Sequence, residues 1–160
     1  MAPRDLTCSL YVSFLDVPGG VPVPRVRSLV DHPLGQALLG LALPVGEHVV
    51  IGSAPLWAAG LRDQIADLDV VVSTPVWDRL AQVCPPRPTP SGRGQRICLQ
   101  IEVLDRWLPG WDTARLLASA VVRDGIPQAP LDVVMRSKLQ TRRAKDLADL
   151  ARWAARRARD

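Results

Sequence analysis

From residue 96 to residue 104 apolar and polar positions alternate. Ile97, Leu99, Ile101 and Val103 fall on one side and Cys98, Gln100 and Glu102 on the other. Side chains of a strand point to opposite faces in turn, so this spacing predicts one strand buried on one side. Residues 47–51 and 67–73 are apolar runs rich in Val and Ile, and predict two central strands. Residues 9–15 read as a short N-terminal strand, and 121–128 as a loop or an edge strand. Over 25–43 the spacing turns helical, through Val26, Leu29, Val30, Leu34, Leu38, Leu39 and Leu41. It breaks at Asp31-His32-Pro33, where Asp31 or His32 can cap a second helix with Pro33 in its first turn. Pro44 and Gly46 end that helix. Further helices are predicted over 55–59, stopped by Gly60, over 75–83, capped by Thr74, and over 113–120, capped by Asp112 or Thr113. Two more cover 131–140 and 144–159. In the last, Leu147, Leu150, Ala151, Ala154 and Ala158 form an apolar stripe, with Arg152, Arg156, Arg157 and Arg159 facing away. The Pro/Gly-rich stretches 17–24 and 84–94 read as loops, the second as a mobile rim.

These elements predict an α/β (α+β) chain with a short mixed sheet flanked by helices. A length of 160 residues suits a single domain over 1–160, with an N-terminal strand and loop over 1–24 and C-terminal helices over 131–160. The hydrophobic fraction of 48% is that of a globular chain. A formal net charge of +4 permits a nucleotide or nucleic-acid partner without demanding one. Three cysteines, Cys8, Cys84 and Cys98, are odd in number and lack metal-ligand spacing. Neither a disulfide framework nor a zinc site is expected, and a reducing, cytoplasmic compartment is. The first residues lack the pattern of a signal peptide. The longest apolar stretch, 37–45, is far short of the roughly 20 residues that span a bilayer, so no membrane partner is expected.

The candidate chemistry lies between the two central strands. Gly52-Ser53 follows the first strand and precedes a helix, where unpaired backbone N–H groups attract phosphate. Glycine lets a phosphate approach the backbone and serine adds a hydroxyl. Asp67 and Asp69 share a strand face, with Cα atoms roughly 6.6 Å apart at about 3.3 Å per residue. Such a pair repels itself unless a positive group sits between, either an Arg or a hard divalent cation such as Mg²⁺. Glu102 adds a third carboxylate on the polar side of its strand, while Asp105 falls on the opposite face. The plainer reading of each is an ordinary strand-to-helix turn capped by Ser53, exposed aspartates balanced by Arg62 or a C-terminal Arg, and a solvent-facing Glu102. Trp57, Trp77, Trp107, Trp111 and Trp153 read as packing, with Trp107 or Trp111 able to stack on a base.

Gly52-Ser53, a spacer, and Asp67-Leu68-Asp69 at a strand resemble the signature of the nucleotidyltransferase superfamily. The stretch 135–153 narrows the resemblance to its small AbiEii-like and MNT-like branch, found in toxin–antitoxin systems. The resemblance implies a minimal nucleotidyltransferase fold and transfer of a nucleotide monophosphate from an NTP to an acceptor hydroxyl. It implies Mg²⁺, as one ion or two, held by Asp67, Asp69 and Glu102, although the family more often has Asp in the third place. Lys138, Arg142, Arg143, Lys145, Asp146 and Asp149 form the C-terminal part of the signature. Lys138 matches a lysine that reaches the nucleotide phosphates, and Asp149, or Asp146, the acid that supports it. Gly52, Ser53, Arg62 and Arg142 complete the expected substrate-binding set. The acceptor is expected to be RNA such as a tRNA 3′ end, a protein side chain or a small molecule, and the partner a cognate toxin or antitoxin. The alternative is a non-catalytic protein of the same fold that binds nucleotide, nucleic acid or a partner protein.

Overall fold

The computed structural model describes residues 26–89 and 94–159. The strand expected at 9–15, the loop at 17–24 and part of the loop at 84–94 lie outside them. The fold is α+β. A short 3₁₀ turn (Leu29–Asp31) leads into α1 (Pro33–Gly40), β1 (His48–Ile51), α2 (Ala54–Ala58) and β2 (Leu68–Val72). Next come α3 (Thr74–Leu80), β3 (Gln95–Cys98), β4 (Ile101–Leu104), α4 (Thr113–Ala118), β5 (Val121–Arg123) and β6 (Ile126–Gln128). The helices α5 (Leu131–Thr141) and α6 (Ala144–Arg157) follow. The strands form one six-stranded mixed sheet in the order β3-β4-β2-β1-β6-β5. β2 runs antiparallel to β1 and parallel to β4, and β1 is parallel to β6.

β1 and β2 are central because eight of their nine residues are buried and six are Val or Ile, as a strand covered on both faces requires. One face packs Val50, Leu68, Val70, Val72, Ile101 and Val103 against α1 and α3. The other packs Val49, Ile51, Val71 and Leu104 against Leu116 of α4 and Val133, Val134 and Met135 of α5. The caps follow side-chain chemistry. His32 accepts from the Leu34 N–H ahead of Pro33, Ser73 from Val76, and Asp112 from Arg115. The α3 cap is therefore Ser73, one residue before the expected Thr74.

Three expectations are corrected. The strand over 96–104 is a hairpin, because Leu99 turns the chain at φ +60° and Cys98 pairs with Ile101. Paired residues share a face, so Cys98 joins Ile101 and Val103 in the core while Ile97 sits beside Glu102. Leu99, expected inside, is exposed. Cys84 and Cys98 are joined as a disulfide with their Cα atoms 5.0 Å apart, against the expectation of free thiols. Of the apolar stripe expected on α6 only Leu150 faces the body. Asp146, Asp149, Trp153 and Arg156 face it with Leu150, at spacings of one helical face, and Leu147 is 52% exposed.

Candidate functional site

The register of the sheet sets three side chains in a row. Ile51 of β1 pairs with Asp69 of β2, and Asp69 with Glu102 of β4. All three face the α4–α5 side, where the apolar layer of Val49, Val71 and Leu104 ends. Asp67, immediately before β2, opens into the same space. Together they form one wall of a cavity of about 170 Å³. Trp107 and Leu108 add apolar lining, and Ser137, Lys138, Thr141, Arg143 and Lys145 come from α5, the bend after it and α6. An acidic wall thus faces a basic one.

Gly52 is where the backbone comes closest to the acids. It adopts φ +71°, and a Cβ there would lie 2.5 Å from Asp69 Oδ2. A glycine is needed for both reasons: the left-handed backbone and the carboxylate against it. Ser53 is the residue before α2, but its hydroxyl makes no capping bond and it does not line the cavity.

The basic wall rests on a buried ionic cluster. Lys138 is 3% exposed, and Asp146 and Asp149 are as thoroughly enclosed. Lys138 Nζ lies 3.1 Å from Asp146 Oδ1 and 2.9 Å from Asp149 Oδ2. The second approach is an ion pair rather than an aligned hydrogen bond, since that oxygen meets no donor at a bonding angle. Arg62 Nε donates to Asp149 Oδ1 at 2.9 Å and Arg152 Nη1 to the same oxygen at 3.1 Å. Asp146 Oδ2 accepts from Arg143 Nε and from the Thr141 hydroxyl, each at 2.7 Å. Burial works to raise the pKa of both carboxyls. For Asp146 it is outweighed by hydrogen bonds from Arg143, Thr141 and Lys138, and for Asp149 by the hydrogen bond from Arg62 and the adjacent ammonium of Lys138. Both carboxyls are thereby held below their ordinary pKa, Asp146 far below it. The Arg143 guanidinium is held above its ordinary value by its hydrogen bond to Asp146, against burial, with the charges of Asp146 and Asp69 adding to the rise.

Of the residues expected from sequence, Gly52, Asp67, Asp69, Glu102 and Lys138 meet in one cavity. Ser53, Arg62, Arg142 and Asp149 do not line it. Arg62 and Asp149 lie behind Lys138 as its ionic support. Arg142 ends α5 at φ +49° and is exposed, and this bend brings the next residue, Arg143, to the cavity instead. Arg143 and Lys145 stood in the C-terminal signature without a role. Neighbouring arginines cannot be told apart in sequence when a left-handed residue lies between two helices.

The two aspartates supply the hard oxygen donors a divalent cation takes, and Gly52 leaves room beside Asp69. Glu102 is differently engaged: Gln95 Nε2 donates to its Oε2 at 2.6 Å, and Arg87 Nη1 stands 3.7 Å from its Oε1. Among the described residues, no three His, Cys, Asp or Glu side chains already converge as a metal-holding group. Asp67 and Asp69 therefore fit a metal ion in donor type, and Glu102 would have to leave Gln95 to join them.

No protein-family model matches this chain, and no curated protein or solved structure does.

Proposed function

We propose that this cavity binds the triphosphate of an NTP and that the protein is a nucleotidyltransferase. The observation that supports this best is the meeting of Gly52, Asp67 and Asp69 with Lys138 and Arg143 across one cavity. In the reaction, an acceptor hydroxyl oxygen bonds to the α-phosphorus as the bond from that phosphorus to the bridging oxygen breaks. Pyrophosphate leaves, and the hydroxyl proton passes to a carboxylate of the acidic wall. Asp67 and Asp69 would hold Mg²⁺, with Glu102 recruited, and the ion would neutralise charge on the reacting phosphates. Lys138, fixed by two aspartates, offers a preorganised positive charge, and Arg143 a planar fork that suits phosphate oxygens. The acceptor is the hydroxyl of an RNA such as a tRNA, or of a protein, and a cognate toxin or antitoxin belongs to the same reading.

Among the described residues no helix is long and apolar enough to cross a membrane. A cytoplasmic place of action is part of the proposal, although a persistent Cys84–Cys98 bond would be unusual there.

The engagement of Glu102 by Gln95 and Arg87 favours a second reading, a protein that binds nucleotide without turnover. Calorimetry with a non-hydrolysable NTP and Mn²⁺ tests the binding common to both. Saturable binding that needs Mn²⁺ and is lost in Asp67→Asn/Asp69→Asn is expected. Equal binding by that variant rejects both readings.

A further inference from the structure

A second basic cavity lies on the far side of the ionic cluster. It has a volume of about 270 Å³ and is lined by Gly60, Leu61, Asp63, Arg152, Ala155, Arg156 and Arg159. Three guanidiniums face one carboxylate there. That carboxylate, Asp63, is 98% exposed and already lies 3.6 Å from Arg27 Nη2. Arginines near the C-terminal end of a helix favour the helix dipole wherever they point, so their number alone implies no ligand. Their placement does. Arg152 is anchored by the buried carboxylate of Asp149 at 3.1 Å, and Arg156 Nη1 donates to the Ala59 carbonyl at 2.6 Å. Arg152 spends one N–H donor of its fork on that anchor and keeps others. Arg159 makes no side-chain ion pair with the described residues. Two anchored forks, about 6 Å apart along the axis at 1.5 Å per residue, and a third beyond them form a preorganised row in a recess.

We propose that this recess binds the phosphodiester backbone of a nucleic-acid strand. A planar guanidinium matches phosphate oxygens bidentately, and a row of forks along a helix suits a chain of repeated phosphates better than a single small anion. Both acids of α6, Asp146 and Asp149, are buried and paired, so the second half of the helix presents no carboxylate to repel the strand. The buried Asp149 stands between a residue of each cavity, with Arg152 of the recess on one oxygen and Lys138 of the first cavity on the other. The binding itself stands whether or not nucleotides are transferred.

The test is fluorescence anisotropy of the full chain with a labelled 20-nucleotide single-stranded RNA and its DNA counterpart, between 50 and 200 mM salt. Arg159→Glu touches no described side-chain partner. Arg156→Gln/Arg159→Gln removes two forks. The double variant is expected to bind about ten times more weakly. Its slope of log affinity against log salt should be shallower by about 1.4, at roughly 0.7 per lost single-strand phosphate contact. Arg159→Glu should weaken binding in the same direction, and Asp67→Asn/Asp69→Asn should bind as the unaltered chain does. RNA and DNA bound alike assign recognition to phosphate alone, and a preference for RNA adds its 2′-hydroxyl. Unchanged affinity and slope in both arginine variants overturns the proposal. So does displacement of the strand at equal charge concentration by inorganic triphosphate, a polyglutamate peptide or anionic vesicles.

Discussion

Replacing Lys138 by Met leaves two enclosed carboxylates without the charge between them. The methylene stem is nearly matched, so packing changes little and the loss is electrostatic. Removing one partner of a buried pair costs about 3–5 kcal/mol. Here each aspartate keeps other donors: Arg143 and Thr141 on Asp146, Arg62 and Arg152 on Asp149. That places the expected loss at the lower end, about 3 kcal/mol. With a slope of about 2 kcal/mol per molar urea, the unfolding midpoint should fall by about 1.5 M. The measurement is urea unfolding followed by tryptophan fluorescence at neutral pH. Adding Asp149→Asn should recover part of the loss, since it removes one of the stranded charges, and the two changes should not add. A midpoint within about 0.3 M of the unaltered chain, set against that slope, would show that the ammonium is solvated and the cluster is not as described. The result also bears on function, because any Lys138 variant lowers the population of folded protein as well as changing the cavity.

Three other outcomes follow from the same geometry. Gly52→Ala meets both φ +71° and Asp69 Oδ2. It should cost about 1–3 kcal/mol in a thermal melt and weaken Mn²⁺-NTP binding in calorimetry, and a variant unchanged in both would reject the close approach. Alkylation of the denatured, unreduced chain should label Cys8 alone, whereas reduction frees Cys84 and Cys98. A loop of about 15 residues predicts a loss of about 3 kcal/mol on reduction, and labelling of all three cysteines without reductant would contradict the disulfide. Asp146 and Asp149 have folded pKa values below their unfolded ones. Their contribution is present above the ordinary carboxylate range and disappears as pH falls through it and below. Asp149→Asn should flatten the acid side of a stability-against-pH profile, and an unaltered profile would refute the pairing.

Much of the sheet was legible because strand alternation needs no tertiary information. The runs before Gly52 and after Asp69 read as central strands, and their period of two set Asp67 and Asp69 on one face, whereas Glu102 joins them through the register of β2 with β4, which spacing alone does not show. The hairpin at Leu99–Gln100 was hidden, since neither residue is a type that favours a left-handed turn. One pair of residues spent on the turn leaves Glu102 on its expected side but moves Cys98 into the core, next to Cys84. The expectation about cysteines failed for that reason: pairing depends on where a turn falls, and spacing alone does not show it. On α6, apolar periodicity pointed the wrong way. Asp146 and Asp149 are drawn inward by Lys138, and an ionic face docked the helix where an apolar stripe was expected. Arg62 is legible only as a charge, and its place behind Lys138 comes from the loop that carries Asp67.

The most direct test of the central claim is label transfer from α-³²P NTPs with Mg²⁺ to a mixture of cellular RNA and protein, comparing the unaltered chain with Asp67→Asn/Asp69→Asn. The account predicts labelled acceptor with the unaltered chain and none with the variant, while both unfold at the same temperature. Equal labelling by the two chains would contradict it.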